Sequence, residues 1–256
     1  MTSGARRVFI QLGPRPDEDG QLVQSGETYP AEIVARLAAD AATIINRYPV
    51  ARSALLPLLH LVQAEDSCVT PAGIEFCATQ LGLTGTEVLA VATFYSMYRR
   101  SPTGDYHVGV CTNTLCAVLG GDAILAALEE HLGVRHGATT TDGTITLDHI
   151  ECNAACDFAP VVMVNWEFFD DQTPDSARAI VDALRAGEQV TPSRGAPLCT
   201  FRRTARILAG FPDERGGAND TCVGHATLVG LDLARAQSIA ELSSAEAFSA
   251  DETSGG

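Results

Sequence analysis

The sequence predicts an α+β protein in which a helical bundle precedes a domain built on a mixed β-sheet. Residues 30–98 carry apolar side chains at helical spacing in four successive segments, whereas from residue 104 onward short strand-like runs alternate with helical ones. With 256 residues and 46% hydrophobic content, the chain can bury one or two cores without covalent cross-links. The fold class therefore follows from a change of pattern along the chain.

This change of pattern divides the chain into four parts. Residues 1–29 are polar and punctuated by Gly and Pro, and we interpret them as an N-terminal arm. Residues 30–103 form the predicted helical bundle, and residues 104–190 the predicted sheet domain. Residues 191–256 are predicted to be an extended tail, and its small, acidic end is expected to be partly disordered.

Start and stop signals delimit the helices of the bundle. Thr70 is followed by Pro71, which is typical of an N-cap and a first helical position, and Gly82 ends the same segment. The segment TGTEVLAVATFYSMY opens with a capping-box spacing, TGTE. The segment ARSALLPLLHLVQ contains Pro57, which a helix tolerates only in its first turn or at a kink.

The second half of the chain has a different order of elements. Residues 106–110 indicate a strand, GGDAILAALEEHLG a helix and GATTTDG a second strand, whereas residues 144–151 fit either a strand or a short helical turn. The runs VVMV and EFF flank Asn165 and Trp166 as a hairpin, and Thr173 begins a last helix. The order β-α-β followed by β-β-α is typical of a thioredoxin-like fold, in which helices cover a mixed sheet.

Four of the eight cysteines form two close pairs in this domain. Cys111 and Cys116 lie in CTNTLC after the first strand, and Cys152 and Cys156 lie in ECNAAC before VVMV. In a thioredoxin-like fold these two loops lie side by side at one end of the sheet, so that four thiolates can converge. We therefore consider these cysteines candidate metal ligands.

The spacing of the pairs leaves three alternatives. A [2Fe-2S] cluster has two irons that each want two cysteine ligands, which fits one pair per loop and is the favoured interpretation. A zinc site would favour tighter Cys-x2-Cys spacing. Disulfides or unliganded thiols are the third alternative, although the Cys-x-x-Cys typical of thioredoxin-type redox disulfides is missing from these two loops.

Charge is concentrated around the paired cysteines. The chain has a formal net charge of −15, and residues 104–190 hold 3 Arg against 14 Asp or Glu. Such a field repels nucleic acid and is compatible with a basic protein surface. No apolar stretch approaches the roughly 20 residues of a membrane span, and no secretory signal opens the sequence. We expect a cytoplasmic protein with no nucleic-acid partner and no direct membrane insertion.

The combination of motifs resembles one known family. VATFYSMYRR, CTNTLC and IECNAACDFAPVVMVN, after a helical bundle, are similar to the thioredoxin-like [2Fe-2S] subunit of NADH:quinone oxidoreductase, respiratory complex I, which is the small subunit of its flavoprotein module. The resemblance covers about residues 30–190. It implies one [2Fe-2S] cluster, with Cys111 and Cys116 on one iron and Cys152 and Cys156 on the other.

The second ligand loop departs from the family pattern at its two middle positions. The family commonly has E-C-L-G-A-C, whereas this chain has Asn153 and Ala154 in place of the Leu and Gly. Glycine at such a position favours a left-handed backbone. If the family glycine has such a backbone, Ala154 would adopt the same conformation only at a cost.

The resemblance also implies a function. It implies an electron-transfer subunit that exchanges single electrons with FMN on a flavoprotein partner, which also binds NADH, among the other peripheral-arm subunits of complex I. The assembly would lie on the inner face of the cell membrane. The sequence has no G-x-G-x-x-G at a strand-to-helix turn and no Walker A motif, so we expect the single chain to be inactive with NADH.

Two other functions remain open at this point. The equivalent subunit of an NAD-linked formate dehydrogenase or hydrogenase would have the same chemistry in another complex. A zinc-stabilised interaction module would have no redox role. Sequence patterns alone separate the first alternative from complex I poorly.

The remaining cysteines and the tail carry weaker signals. Cys77 is predicted to lie in the core, and Cys222 with His225 could form half a zinc site. Residues 191–212 combine four Arg with apolar side chains, which is too apolar for a free linker. We expect this segment to lie across the flavin-bearing subunit and to become ordered on binding.

Overall fold

The computed structural model describes residues 28–216 and 228–238. Most of the predicted arm, the Cys222 and His225 pair, and residues 239–256 lie outside the described residues. Residues 228–238 are helical and exposed. Within the described parts of the chain, no helix is both long and apolar enough to cross a membrane.

The first half of the chain is a helical bundle, as predicted. Thr70 accepts a hydrogen bond from the Gly73 N–H, and Thr84 and Glu87 form the capping box. Pro57 lies in the first turn of its helix, where proline disrupts no hydrogen bond. The four bundle helices are α1 (Ala31–Ile45), α2 (Leu55–Asp66), α3 (Pro71–Leu81) and α4 (Gly85–Phe94). Their shared core includes Leu37, Leu58, Leu59, Val62, Ile74 and Val88.

The second half is a five-stranded mixed sheet with helices. Its strands are β1 (Tyr106–Cys111), β2 (Ala138–Thr139), β3 (Ile145–Ile150), β4 (Val162–Val164) and β5 (Glu167–Phe169), in the order β2-β3-β1-β4-β5. Its helices are α5 (Thr114–Val118), α6 (Gly121–Leu132) and α7 (Pro174–Arg185). β1 and β3 pair in parallel, and the other pairs are antiparallel. This confirms the predicted α+β class and thioredoxin-like domain.

One strand assignment needs correction. The predicted second strand GATTTDG contributes only the two-residue edge strand β2, and the ambiguous segment 144–151 supplies β3, the parallel partner of β1. The physical reason is burial, since Ile145 and Leu147 are fully buried against β1 whereas the β2 residues are half-buried. Gly143, with φ of 73°, forms the turn between β2 and β3.

A polar network joins the bundle to the sheet domain. The side chain of Gln63 in α2 donates to the Met97 carbonyl over 3.1 Å and accepts from the Arg99 N–H over 2.7 Å. The Arg99 guanidinium in turn donates to Asp148 in β3 over 2.7 Å. Because Gln63 and Asp148 are buried, these bonds fix the segment between α4 and β1 against both halves of the chain.

The expected placement of residues 191–212 is wrong for the part that forms α8 (Phe201–Leu208). This helix packs on α2, with Phe201 and Ala205 fully buried within the chain itself. Arg206 pairs with Asp40 of α1 over 2.8 Å, and Arg202 donates to main-chain oxygens at the end of α2. Phe201 and Ala205 are therefore covered by the chain itself, whereas Leu208 at the end of the helix is exposed. The domain boundary at residue 190 stays a prediction.

Acid is expected to destabilise the fold through His60 in α2. The imidazole is 9% exposed, lies 4.8 Å from the Tyr98 ring and has its pKa lowered by burial to about 4. Because the unfolded chain binds this proton near pH 6.5, stability is complete above that pH and falls as the pH drops toward 4. We expect the free energy of unfolding to fall by about 2 kcal/mol from this group between pH 7 and pH 5.

Denaturant titrations of wild type and His60→Phe at both pH values measure this effect. The buried His107 also has a lowered pKa, because of its own burial, and contributes in the same direction in both proteins. The variant should therefore lose less stability than wild type over this interval. Equal losses in the two proteins would show that His60 is not responsible.

Candidate metal centre

The first cysteine pair is buried at the end of β1. Cys111 is the last residue of β1, and Cys116 lies within α5; both side chains are almost inaccessible to solvent. The Cys111 N–H donates to the Val161 carbonyl over 3.1 Å, so that strand pairing fixes this ligand. Both cysteines belong to an apolar cluster with Ala155, Val161 and Met163. This environment excludes water from one side of the candidate centre.

The second cysteine pair lies nearer the surface. Cys152 follows β3 and is exposed, and Cys156 begins the short 3₁₀ turn Cys156–Phe158 and is half-buried. Their sulfurs are 3.7 Å apart. Two thiolates that bind one tetrahedral metal through bonds of about 2.3 Å have sulfurs about 3.7 Å apart, so the pair is spaced as an iron or zinc would hold it.

The two cysteine pairs lie at the same end of the sheet, since Cys111 is opposite Ile150 in the register of β1 and β3 and Cys152 follows Ile150 by two residues. The pKa of the Cys111 thiol is raised to about 11, chiefly by burial and also by the thiols of Cys116 and Cys152, while the Asn113 N–H acts in the opposite direction. The pKa of Cys156 is raised by its hydrogen bond with Cys152. Without a cation the thiols of Cys111 and Cys156 therefore stay protonated, and a bound metal would release these protons. Among the described residues, no His, Cys, Asp or Glu side chains form a group of three or more that could hold a metal ion. The candidate ligands are thus arranged as pairs.

Two residues other than the cysteines position the ligand loops. The Asn113 side chain, between the first two cysteines, donates to the Ile150 carbonyl just before the second loop over 3.2 Å. Gly121 begins α6, and a Cβ there would lie 2.4 Å from the Cys111 carbonyl oxygen, so no larger residue fits without movement. The Gly-Gly sequence after Cys116 was the available signal for this close approach.

Ala154 has a left-handed backbone, the conformation that glycine favours at the corresponding family position. Its φ is 55°, and its N–H donates to the Cys152 sulfur over 3.4 Å. The conformation costs an alanine about 1–2 kcal/mol. This cost is offset by the hydrogen bond that the conformation allows between the Ala154 N–H and the sulfur of Cys152.

Apolar side chains surround the candidate centre at the surface. On and beside α5, Leu115, Val118 and Leu119 are exposed, and Val118 is 79% exposed. A cleft of about 840 Å³ opens between the end of α4 and the loop of Cys152. Phe94 lines this cleft and is 75% exposed. Exposed apolar groups of this density are typical of an interaction surface.

Comparison with known families identifies this arrangement. The family model of thioredoxin-like [2Fe-2S] ferredoxins matches residues 41–185, which include all four candidate ligands and most of the bundle. The chain belongs to the thioredoxin-like [2Fe-2S] ferredoxin family. The resemblance found in the sequence is confirmed, and with it the [2Fe-2S] cluster as the cofactor of the family. The assignment of individual cysteines as its ligands stays a prediction.

Two curated relatives of this ferredoxin are E subunits of NADH-quinone oxidoreductases. The E subunit of NADH-quinone oxidoreductase from Mycobacterium tuberculosis (strain ATCC 25618 / H37Rv) is 66% identical over 230 residues, which cover 89% of this chain and 91% of the relative. The corresponding protein from Rickettsia bellii (strain RML369-C) is 41% identical over 145 residues, 56% of this chain and 87% of the relative.

Solved structures with similarity to this ferredoxin include two kinds of protein. An NAD+-reducing [NiFe]-hydrogenase in the air-oxidized state is 20% identical with a TM-score of 0.47, over 52% of this chain and 23% of that chain. A thioredoxin-like [2Fe-2S] ferredoxin from Aquifex aeolicus is 24% identical with a TM-score of 0.29, over 34% of this chain and 87% of that chain.

Proposed function

We propose that this chain is the thioredoxin-like electron-transfer subunit of an NADH–quinone oxidoreductase. We also propose that its [2Fe-2S] cluster is held by Cys111, Cys116, Cys152 and Cys156. The observation that carries the proposal is the placement of two cysteine pairs at the same end of the sheet, since Cys111 ends β1 opposite Ile150 and Cys152 follows Ile150 by two residues. The relatives from NADH-quinone oxidoreductases support this parent complex. The equivalent subunit of a hydrogenase or formate dehydrogenase is the alternative with the same chemistry.

Each cysteine pair has a distinct role in this proposal. Cys111 and Cys116 would bind one iron in the buried apolar cluster, and Cys152 and Cys156 would bind the other near the surface. A bound [2Fe-2S] cluster supplies a group that accepts and releases one electron at a time. The exposed side of the site would let a redox partner approach within electron-transfer distance, while the buried side restricts water.

The partner in this proposal is a flavoprotein subunit that binds FMN and NADH. The exposed apolar side chains Leu115, Val118 and Leu119 flank Cys116 and would be covered on assembly. The surrounding domain has 3 Arg against 14 acidic residues over 104–190, so a basic partner surface would dock fastest. Other peripheral-arm subunits would complete the complex on the cytoplasmic face of the membrane.

The purified single chain tests this proposal. It should be brown, contain about two irons per chain, give an EPR signal after one-electron reduction with dithionite, and leave NADH unoxidised. Adding the flavoprotein subunit should allow NADH to reduce the cluster. A colourless, zinc-containing chain would refute the redox function, and NADH oxidation by the single chain would show that the nucleotide site lies on this chain and not on its partner. Co-purification with hydrogenase or formate dehydrogenase subunits would favour the alternative.

A further inference from the structure

Arg194 lies in the segment that connects α7 to α8, beyond the residues that the family model matches. This segment adds to the edge of the sheet beside β5. The Ser193 N–H donates to the Phe168 carbonyl over 2.8 Å, and Phe168 forms an isolated antiparallel bridge with Arg194. The main chain thus holds Arg194 against the sheet, independently of what its side chain contacts.

The Arg194 guanidinium lies over two aromatic rings at once. Its central carbon is 4.2 Å from the centroid of the Phe168 ring and 5.0 Å from that of Phe158. Asp170 accepts from its Nη2 over 3.0 Å and so orients the planar group. The side chain is 30% exposed, and its Nε is buried without a hydrogen-bond partner among the described residues. A buried unpartnered donor is costly, so contact with the rings must offset it.

The two rings belong to the two halves of the candidate metal centre. Phe158 ends the 3₁₀ turn that Cys156 begins, and its carbonyl accepts from the Asp171 N–H over 2.9 Å. Phe168 packs against the apolar cluster that contains Cys111 and Cys116. A single guanidinium therefore connects the surface ligand loop to the support of the buried ligand pair.

We propose that Arg194 is a positioning residue for the [2Fe-2S] cluster, clamping the loop of Cys152 and Cys156 against the support of Cys111 and Cys116. The inference rests on the proposed ligand set. A planar guanidinium stacks on rings in a way that lysine does not, which suits Arg to this clamp. Its positive charge also favours the reduced, more negative cluster and so raises the reduction potential.

Replacement of Arg194 with Ala tests the clamp in the full-length chain carrying its cluster. We expect iron to be lost to a chelator about tenfold faster, because the cation–π contacts with both rings, which hold the loop in place, are lost. The EPR signal of the reduced cluster should change and its potential should fall. Arg178→Ala is the matched control, since it removes an exposed Arg of α7 that pairs only with Asp175 among the contacts described.

A second variant covers the case in which Arg194→Ala gives no folded chain. Arg194→Met keeps the length of the side chain and removes the cation, and it should show the same direction of change; Arg194→Lys should fall between Met and wild type. Wild-type rates, spectra and potential in Arg194→Met would overturn the clamp. Failure of the ligand set itself is distinguishable, because serine variants of the four cysteines would then keep their iron.

Discussion

Serine at both Cys152 and Cys156 is expected to abolish cluster binding. The double variant leaves one iron without either of its thiolate ligands, and two hydroxyls do not replace them because iron–sulfur clusters are held by thiolates. We expect the iron content of the purified chain to fall from about two per chain to near zero, with loss of the brown colour and of the EPR signal. The fold should persist, since both residues lie in a surface loop.

A matched control is available in the same chain. Cys199 is half-buried outside the two pairs, where its sulfur contacts the Thr204 hydroxyl over 3.3 Å. The Cys199→Ser variant removes a thiol of similar exposure and should keep its full iron content. Iron retained in the Cys152 and Cys156 double variant, or lost in Cys199→Ser, would show that the ligand assignment is wrong.

A double serine variant of the buried pair, compared with that of the surface pair, distinguishes loss of iron from loss of stability. Cys111 and Cys116 lie in the apolar cluster, so serine there also buries two hydroxyls in apolar surroundings. We expect loss of iron together with reduced stability, whereas the surface pair should lose iron alone. Equal effects on stability from the two double variants would argue against the division into a buried and a surface half.

Local signals made the site and most elements predictable from the sequence. The two cysteine pairs lie in loops whose positions follow from the neighbouring strands, and the capping box of Thr84 and Glu87 depends on residues three apart. The left-handed Ala154 was also predictable, because the family pattern has glycine at that position. In each case the information lies within one turn or one loop.

Long-range packing explains what the sequence did not predict. Nothing near Ile145 decides between a strand and a helical turn; pairing with Tyr106 of β1 does. Likewise, Asn113 connects the ligand loops only because its neighbour in space is Ile150. The expected placement of α8 on the flavin-bearing subunit was wrong for the same reason. Its apolar side chains indicate that another surface covers them, but they do not indicate which surface.

Phe201 is therefore expected to stabilise this chain strongly. The side chain is 1% exposed at the start of α8, its ring lies 6.3 Å from that of His107 in β1, and its N–H donates to the Asp105 carbonyl over 2.7 Å. Phe201→Ala should lower the free energy of unfolding by about 3–5 kcal/mol, through lost burial and the cavity left behind. For a chain of this size, the midpoint of thermal unfolding should fall by about 10 °C.

The control for Phe201 lies on the same helix. Leu208 is 38% exposed, so Leu208→Ala should change the midpoint by only about 2 °C or less. Thermal unfolding of both variants is monitored by circular dichroism. The EPR signal of Phe201→Ala below its unfolding midpoint should match that of wild type, because no ligand loop is changed. If α8 instead became ordered only on a partner, Phe201→Ala would leave the stability of the single chain unchanged and weaken assembly. An unchanged midpoint would thus restore the original expectation for the tail and remove α8 from the core of this chain.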